Sequence, residues 1–317
     1  MDKIKKVSLI GLGGVGGMFA AQLAPVLGDN FRVIAGSGRK ARFENEFLIN
    51  DKGYRFQVAD PNEVGDPADL VIITVKSYAL EAAIADIQNQ VGPNTLILNF
   101  LNGVLAEERL IAAFGESRVL YGYTYVVAAL KENGSVGYLP GSVRVRFGEK
   151  VNEDGNYTPR VSRVCELFDK AGINYRVERD LMRGMWKKFL MNIGENMPMA
   201  ALRLTYAGFR SEHYREISRA GKAEVVAIAQ AKGIDLRPED NTKHDLESIE
   251  TYKKIAGWQP STCTDLDAGK TTEVDLFAGA VVQMGRELGI PTPYNQLYYH
   301  AIKVMEEKNQ GLFAVDS

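Results

Sequence analysis

An α/β fold is predicted for this chain, with a doubly wound parallel sheet in the first half and an all-helical second half, on three observations. Short, continuous apolar runs alternate with amphipathic stretches as far as Arg118, the pattern of strands that crossover helices bury on both faces. A glycine-rich turn follows the first of those runs. Beyond Glu178 almost every segment has helical periodicity. The 317 residues exceed the usual size of one domain, and the boundary falls near residue 178, giving domains 1–178 and 179–317.

The elements follow in order. Val7 to Ile10 is an apolar strand that ends in the glycine turn, and Met18 to Leu27 is a helix that stops near Gly28. Phe31 to Ala35, Leu70 to Val75 and Thr95 to Phe100 are further strands, with helices expected over Tyr78 to Ile87 and Val104 to Phe114. Val119 to Leu130, Ser135 to Tyr138 and Val143 to Phe147 are β-rich, separated by Asn133-Gly134 and Pro140-Gly141, and suggest an antiparallel addition to the sheet. A helix over Arg160 to Ala171 and a strand over Asn174 to Val177 complete the first half. Helices are then expected over roughly 181–198, 211–232, 238–256, 272–288 and 293–307. Tyr121, Tyr123 and Tyr125 alternate along one strand face, where packing is the simplest role.

Composition narrows the function. A formal net charge of −2 lacks the basic footprint of a nucleic-acid binder or of a membrane-surface contact. The sequence offers neither a long apolar run for a membrane span nor a secretory leader. Cys165 and Cys263 are two thiols, too few for a disulfide framework, and are expected to be buried. His213, His244 and His300 have no metal-ligand spacing. A cytoplasmic, metal-free protein acting on a small molecule is the simplest expectation.

The turn reads Gly11-Leu12-Gly13-Gly14-Val15-Gly16. Between a strand and a helix this spacing has a physical meaning. The first glycine permits the tight turn, the second lets backbone approach a pyrophosphate, and the third lets helix and strand pack closely. The helix start then offers free N–H groups to phosphate. A Rossmann-type dinucleotide domain is therefore expected. An NAD site wants an acid about 20 residues past the loop. Here the segment runs Gly36-Ser37-Gly38-Arg39-Lys40-Ala41-Arg42, with no acid before Glu44. That favours NADP(H), with Ser37 and Arg39 at the 2′-phosphate and Arg42 as the substitute.

In the second half Lys188, Asn192 and Asn196 are four residues apart and form one polar stripe on a helix. Trp186, Phe189, Leu190, Met191 and Ile193 surround them and should be largely buried, so the stripe needs partners. An ammonium and two amides on one face could bind a carboxylate or polarise a carbonyl. Lys187 lies about 100° around the helix, so Lys188 is the preferred lysine. Asn102-Gly103 and Lys76-Ser77 each follow a parallel strand, at the sheet edge where ligands bind. Ser261 and Glu273 flank the start of a later helix.

Taken in order along nearly the whole chain, these residues resemble the ketopantoate reductase (2-dehydropantoate 2-reductase) family. The resemblance rests on the glycine loop, Val75-Lys76-Ser77, Asn102-Gly103, Trp186-X-Lys188 with Asn192 and Asn196, and Ser261 twelve residues before Glu273. It implies a Rossmann-type domain followed by an all-α domain, and NADPH-dependent reduction of ketopantoate to pantoate on the way to pantothenate and coenzyme A. It makes Lys188 the catalytic acid/base and Glu273 a ligand of the substrate hydroxyl. Asn192, Asn196 and Ser261 become substrate-binding groups, Asn102 sits where cofactor meets substrate, and Lys76 lies near the nicotinamide. Three positions depart from the family pattern. Asn196-Met197-Pro198 replaces an Asn-Pro pair, Tyr206 stands where some members have asparagine, and the arginine after the second strand is displaced to Arg39 or beyond. These bear on which 2-oxo acid is reduced. Alternatives are another branched 2-oxo acid, an opine-type reaction, or a non-catalytic NADP-binding regulator. Apolar helical faces in the second half also permit a homodimer.

Overall fold

The computed structural model describes residues 3–131, 133–240 and 256–313. The chain divides into two compact units, Met1–Met182 and Arg183–Ser317. The first holds an eight-stranded sheet. Strand β1 (Val7–Ile10) lies in its middle, flanked by β2 (Phe31–Ile34) on one side and β6 (Ala68–Ile73) on the other, all parallel. β5 (Gln57–Ala59) extends the β2 side in parallel, and β7 (Val91–Asn99) and β8 (Val119–Tyr125) extend the β6 side. β11 (Arg144–Gly148) runs antiparallel to β8, and β12 (Tyr175–Val177) closes that edge parallel to β11.

Alternation along the central strands explains their near-continuous apolar runs. Leu70 and Ile72 of β6 join one buried cluster with Leu9, Leu96 and Leu98, whereas Val71 and Ile73 join a second with Ile10 and Ile97. Both faces are therefore covered. Helices α1 (Gly14–Leu27), α2 (Ser37–Glu44), α3 (Leu80–Asp86), α4 (Ala106–Phe114) and α5 (Pro159–Ala171) make the connections. The fold is thus the expected Rossmann-type doubly wound sheet with a helical second unit.

The β-rich stretch divides in a way the sequence does not announce. β11 does add antiparallel to the main sheet, but β9 (Ala128–Leu130) and β10 (Val136–Tyr138) leave it for a second sheet with β3 (Phe47–Ile49) and β4 (Lys52–Tyr54). β3 and β4 form a hairpin whose two turn residues, Asn50 and Asp51, have φ of 48° and 62°, the left-handed pair that a tight hairpin needs. Asn50 exchanges side-chain hydrogen bonds with the Tyr138 backbone at 2.8 and 2.9 Å, which ties the hairpin to β10. Tyr121 and Tyr123 are buried, whereas Tyr125 is exposed at the strand end. Cys263 is buried, but Cys165, in the middle of α5, is only half-buried, at the margin of the core beside Tyr175.

The second unit is helical. It contains α6 (Leu181–Leu202) from Arg183 onward, α7 (Glu212–Ala231), α8 (Ser261–Asp267), α9 (Ala280–Leu288) and α10 (Pro293–Asn309). A π-helical turn, Asp275–Gly279, leads into α9, so the helix expected over 272–288 starts later and more widely wound. The expected helix over 238–256 lies, beyond Asp240, outside the described residues, as does His244. Among the described residues no helix is long and apolar enough to cross a membrane. No cluster of His, Cys, Asp and Glu there could hold a metal ion.

Candidate active site

The glycine turn has the close approaches its spacing predicts. Gly11 has φ +98°, and a Cβ there would come within 2.6 Å of the Val75 nitrogen. A Cβ on Gly16 would meet the Gly11 carbonyl oxygen at 2.1 Å, so only glycine lets α1 rise this close to β1. The Thr74 hydroxyl donates to that same carbonyl at 2.7 Å. Gly13 differs, because an added Cβ would find nothing within 4 Å. It caps α1 without a side-chain hydrogen bond, and the first turn carries no acid. Gly14 and Val15 begin the helix, so their N–H groups belong to its unsatisfied first turn. Leu12 is buried beneath. An open, unhindered helix start of this kind fits a pyrophosphate.

The neighbouring strand ends contribute to the same sheet edge. Gly36 follows β2 by two residues and caps α2, whose first turn also lacks an acid. Arg39 lies in that turn, exposed, with its guanidinium 4.0 Å from Asp86. Arg42 is committed elsewhere: it donates to the Gly134 carbonyl at 3.1 Å and lies over the Phe43 and Phe47 rings. The side chain of Ser37 lies outside the described residues. Lys76 follows β6 and is exposed, and Asn102 follows β7 half-buried. Four adjacent parallel strands therefore bring Gly11–Gly16, Gly36–Arg39, Lys76 and Asn102 to one edge.

In the second unit Lys188, Asn192 and Asn196 are each 8% exposed. The Asn196 side-chain Nδ2 donates to the side-chain Oδ1 of Asn192 at 3.4 Å. Trp186, Phe189, Leu190 and Ile193 are buried around them, while Met191 is half-buried. Lys187 points away and pairs with Asp240 at 2.7 Å. Burial pulls the Lys188 ammonium down to about 8, against the opposing pull of the Glu273 carboxylate. Glu273 is itself buried, and its turn packs on α6 through stacked Phe189 and Phe277 rings. Ser261 is the first residue of α8 and is exposed, which sets it apart from the four buried groups.

Helix α6 is braced from α7 at Gly194. Pro198 lies inside it and has no N–H to give the Gly194 carbonyl four residues earlier. The Tyr214 hydroxyl on α7 donates to that carbonyl instead, at 3.2 Å. Gly194 also makes room for Lys222, a fully buried lysine whose Cδ would lie 2.4 Å from a Cβ there.

Sequence reasoning missed Glu195. It is buried and lies seven residues after Lys188 and three after Asn192, on the stripe's own face; counting steps of three and seven as well as four would have found it. Burial, with the Glu195 carboxylate nearby, raises the Tyr206 hydroxyl. Glu107 was also missed. Burial holds its carboxyl up at about 7 while the Asn99 amide donates to it at 3.0 Å, and Asn99 in turn accepts from the Leu101 N–H, one residue before Asn102.

Comparison with known proteins joins the two halves. Residues 7–152 match the family model "Ketopantoate reductase PanE/ApbA", and residues 180–306 match its C-terminal counterpart. The chain belongs to the ketopantoate reductase PanE/ApbA family of oxidoreductases. Among its relatives, a 2-dehydropantoate 2-reductase of Streptococcus pyogenes is 27% identical over 311 residues, covering 95% of this chain and 97% of the relative. An uncharacterized oxidoreductase of Bacillus subtilis, YkpB, is 24% identical over 315 residues, covering 95% and 99%. In fold, this ketopantoate reductase family member is similar to D-mandelate dehydrogenase solved with NADH and anilino(oxo)acetate. That likeness has a TM-score of 0.83 and 22% identity, and covers 96% of this chain and 99% of the other.

Proposed function

We propose that the protein is an NADPH-dependent reductase of ketopantoate, forming pantoate for pantothenate and coenzyme A biosynthesis. The observation that carries this reading is a buried lysine on a helix that adds two buried asparagines, with a buried glutamate whose charge opposes the lowering of the lysine by burial. Gly11–Gly16 would hold the pyrophosphate, and the acid-free start of α2 with Arg39 would take the 2′-phosphate. When bound, NADPH supplies a hydride for the keto carbon.

The chain's own residues do the rest. Negative charge builds on the substrate oxygen as the carbonyl is reduced, and the Lys188 ammonium stabilises it and then gives it a proton. Asn192 and Asn196 donate to the substrate carboxylate without adding charge, and Ser261 supplies a further hydroxyl. Glu273 accepts from the substrate hydroxyl, so acids without that hydroxyl leave it unpaired and are disfavoured. Asn102 and Lys76 orient the nicotinamide end.

Purified protein should oxidise NADPH rapidly with ketopantoate and slowly with other 2-oxo acids. Equal or better turnover with NADH would overturn the cofactor assignment. A second reading, reduction of a different 2-oxo acid, is favoured by Tyr206, and a 2-oxo acid panel separates the two by kcat/KM. A homodimer belongs to the same proposal. Tyr294, Leu297 and Val304 stand exposed on one face of α10, and a monomeric mass by light scattering would overturn it.

A further inference from the structure

One charged residue outside the stripe sits where an apolar one would pack. Glu306 on α10 follows Tyr298 and Ile302 at intervals of four, both essentially inaccessible, and is itself only 6% exposed. A carboxylate in such a row is retained at a cost unless it is well bonded. Its Oε1 accepts both the backbone N–H and the hydroxyl of Thr272, each at 2.7 Å. The Thr272 oxygen accepts in turn from the Val274 N–H at 3.2 Å. The residues on either side of Glu273 are thereby tied to one buried carboxylate.

The next turn is held from the other side. The Glu273 carbonyl accepts from the N–H groups of Leu276 and Phe277 at 3.0 and 3.2 Å, which opens the π-helical turn. Lys303, three residues before Glu306, bonds the second carboxylate oxygen at 3.2 Å and Asp275 at 2.7 Å. At its far end α10 also donates from Asn309 to the Leu266 carbonyl of α8 at 2.8 Å.

We infer that Glu306 is a positioning residue: by clamping Thr272 it fixes the direction of Glu273 and so sets the enzyme's selectivity for a 2-oxo acid bearing a hydroxyl. This rests on the reading of Glu273 as the hydroxyl acceptor. The charge-assisted bonds to Thr272 are stronger than neutral ones. Losing their acceptor leaves two buried donors unsatisfied, so the turn moves rather than keeping Glu273 in line.

The test compares Glu306→Leu with Glu306→Gln, in the native enzyme and in a Glu273→Gln background. Substrates are ketopantoate and the same 2-oxo acid without its hydroxyl. Glu306→Leu should raise the ketopantoate KM about ten-fold with kcat held within about two-fold, and leave the KM of the deoxy acid unchanged. Glu306→Gln keeps an acceptor oxygen and should restore the ketopantoate KM. In the Glu273→Gln background Glu306→Leu should add nothing, while exchange of the Thr272 and Val274 amides should quicken in Glu306→Leu alone. Thr272→Val removes the clamp's hydroxyl with little change of shape and should give the same selectivity loss if Glu306→Leu fails to fold. Equal KM losses on both substrates, or a full additional loss over Glu273→Gln, would overturn the positioning role. An unaffected KM in Glu273→Gln itself would instead overturn the reading of Glu273.

Discussion

The two units build their sites from different materials. In Met1–Met182 the candidate cofactor site is made of backbone: Gly11 and Gly16 serve by what they lack, and the space beside Gly13 is open. In Arg183–Ser317 the candidate substrate site is made of buried side chains, Lys188, Asn192, Asn196 and Glu273. A backbone site depends on steric exclusion and helix polarity, so its signature is local spacing. A side-chain site depends on burial and on partners far along the chain, so its signature appears only as a stripe of misplaced polarity. The first is expected to fail by losing shape and the second by losing chemistry.

The strongest test of that contrast is Lys188→Ala. It should lower kcat by about 10²–10⁴-fold while NADPH still binds, as followed by fluorescence titration; near-normal turnover removes Lys188 from the role. Within the backbone site Gly16→Ala and Gly13→Ala should behave oppositely. Gly16→Ala meets the Gly11 carbonyl and should lower the melting temperature as well as abolish cofactor binding. Gly13→Ala should leave the melting temperature alone and weaken NADPH by at least about ten-fold. Undiminished NADPH binding in Gly13→Ala would show that the open side of the loop has no ligand role.

Protonation sharpens the side-chain half. The proposed mechanism requires Lys188 to be charged for reduction, and that charge is lost as pH rises through about 8. The kcat/KM for reduction should therefore fall above that pH, by about ten-fold per unit at the limit. Glu273 holds the lysine up, so Glu273→Gln should move the falling limb to lower pH; a move upward would contradict their coupling. The smallest effect is expected from Arg42→Ala against Arg39→Ala. Arg42 is occupied with Gly134 and two rings, so only Arg39→Ala should raise the KM for NADPH, by about three- to ten-fold with NADH unaffected.

What could be read from the sequence follows the same division. β1, β2, β6 and β7 are legible because strands buried on both faces must be apolar at every position. The β3–β4 hairpin is not, since three-residue strands carry too little pattern and gain stability from β10, whose Val136 pairs with Ile49 across 87 residues of sequence. The Lys188 stripe was legible through its period, yet Glu195 on the same face was overlooked. The clamp of Glu306 on Thr272 could not be read at all, because its two ends are 34 residues apart and no local rule links them. The π-helical turn after Glu273 was invisible for a related reason: an extra residue shifts the apolar phase by about 100°, and the nine-residue α9 beyond it is too short to display the break.

Gly194 has a consequence beyond local fit. Its carbonyl, orphaned by Pro198, is served by Tyr214, and its missing side chain receives the stem of Lys222. Both dependencies converge on one residue of α6 and reach it from α7, so the pair of helices is indexed like two gears meshed at a single tooth. Sliding either by one residue would strip both contacts together. Because that tooth sits between Asn192 and Asn196, α7 sets the height at which the two amides stand. A helix outside the proposed site thus serves as the datum from which the candidate substrate groups are measured.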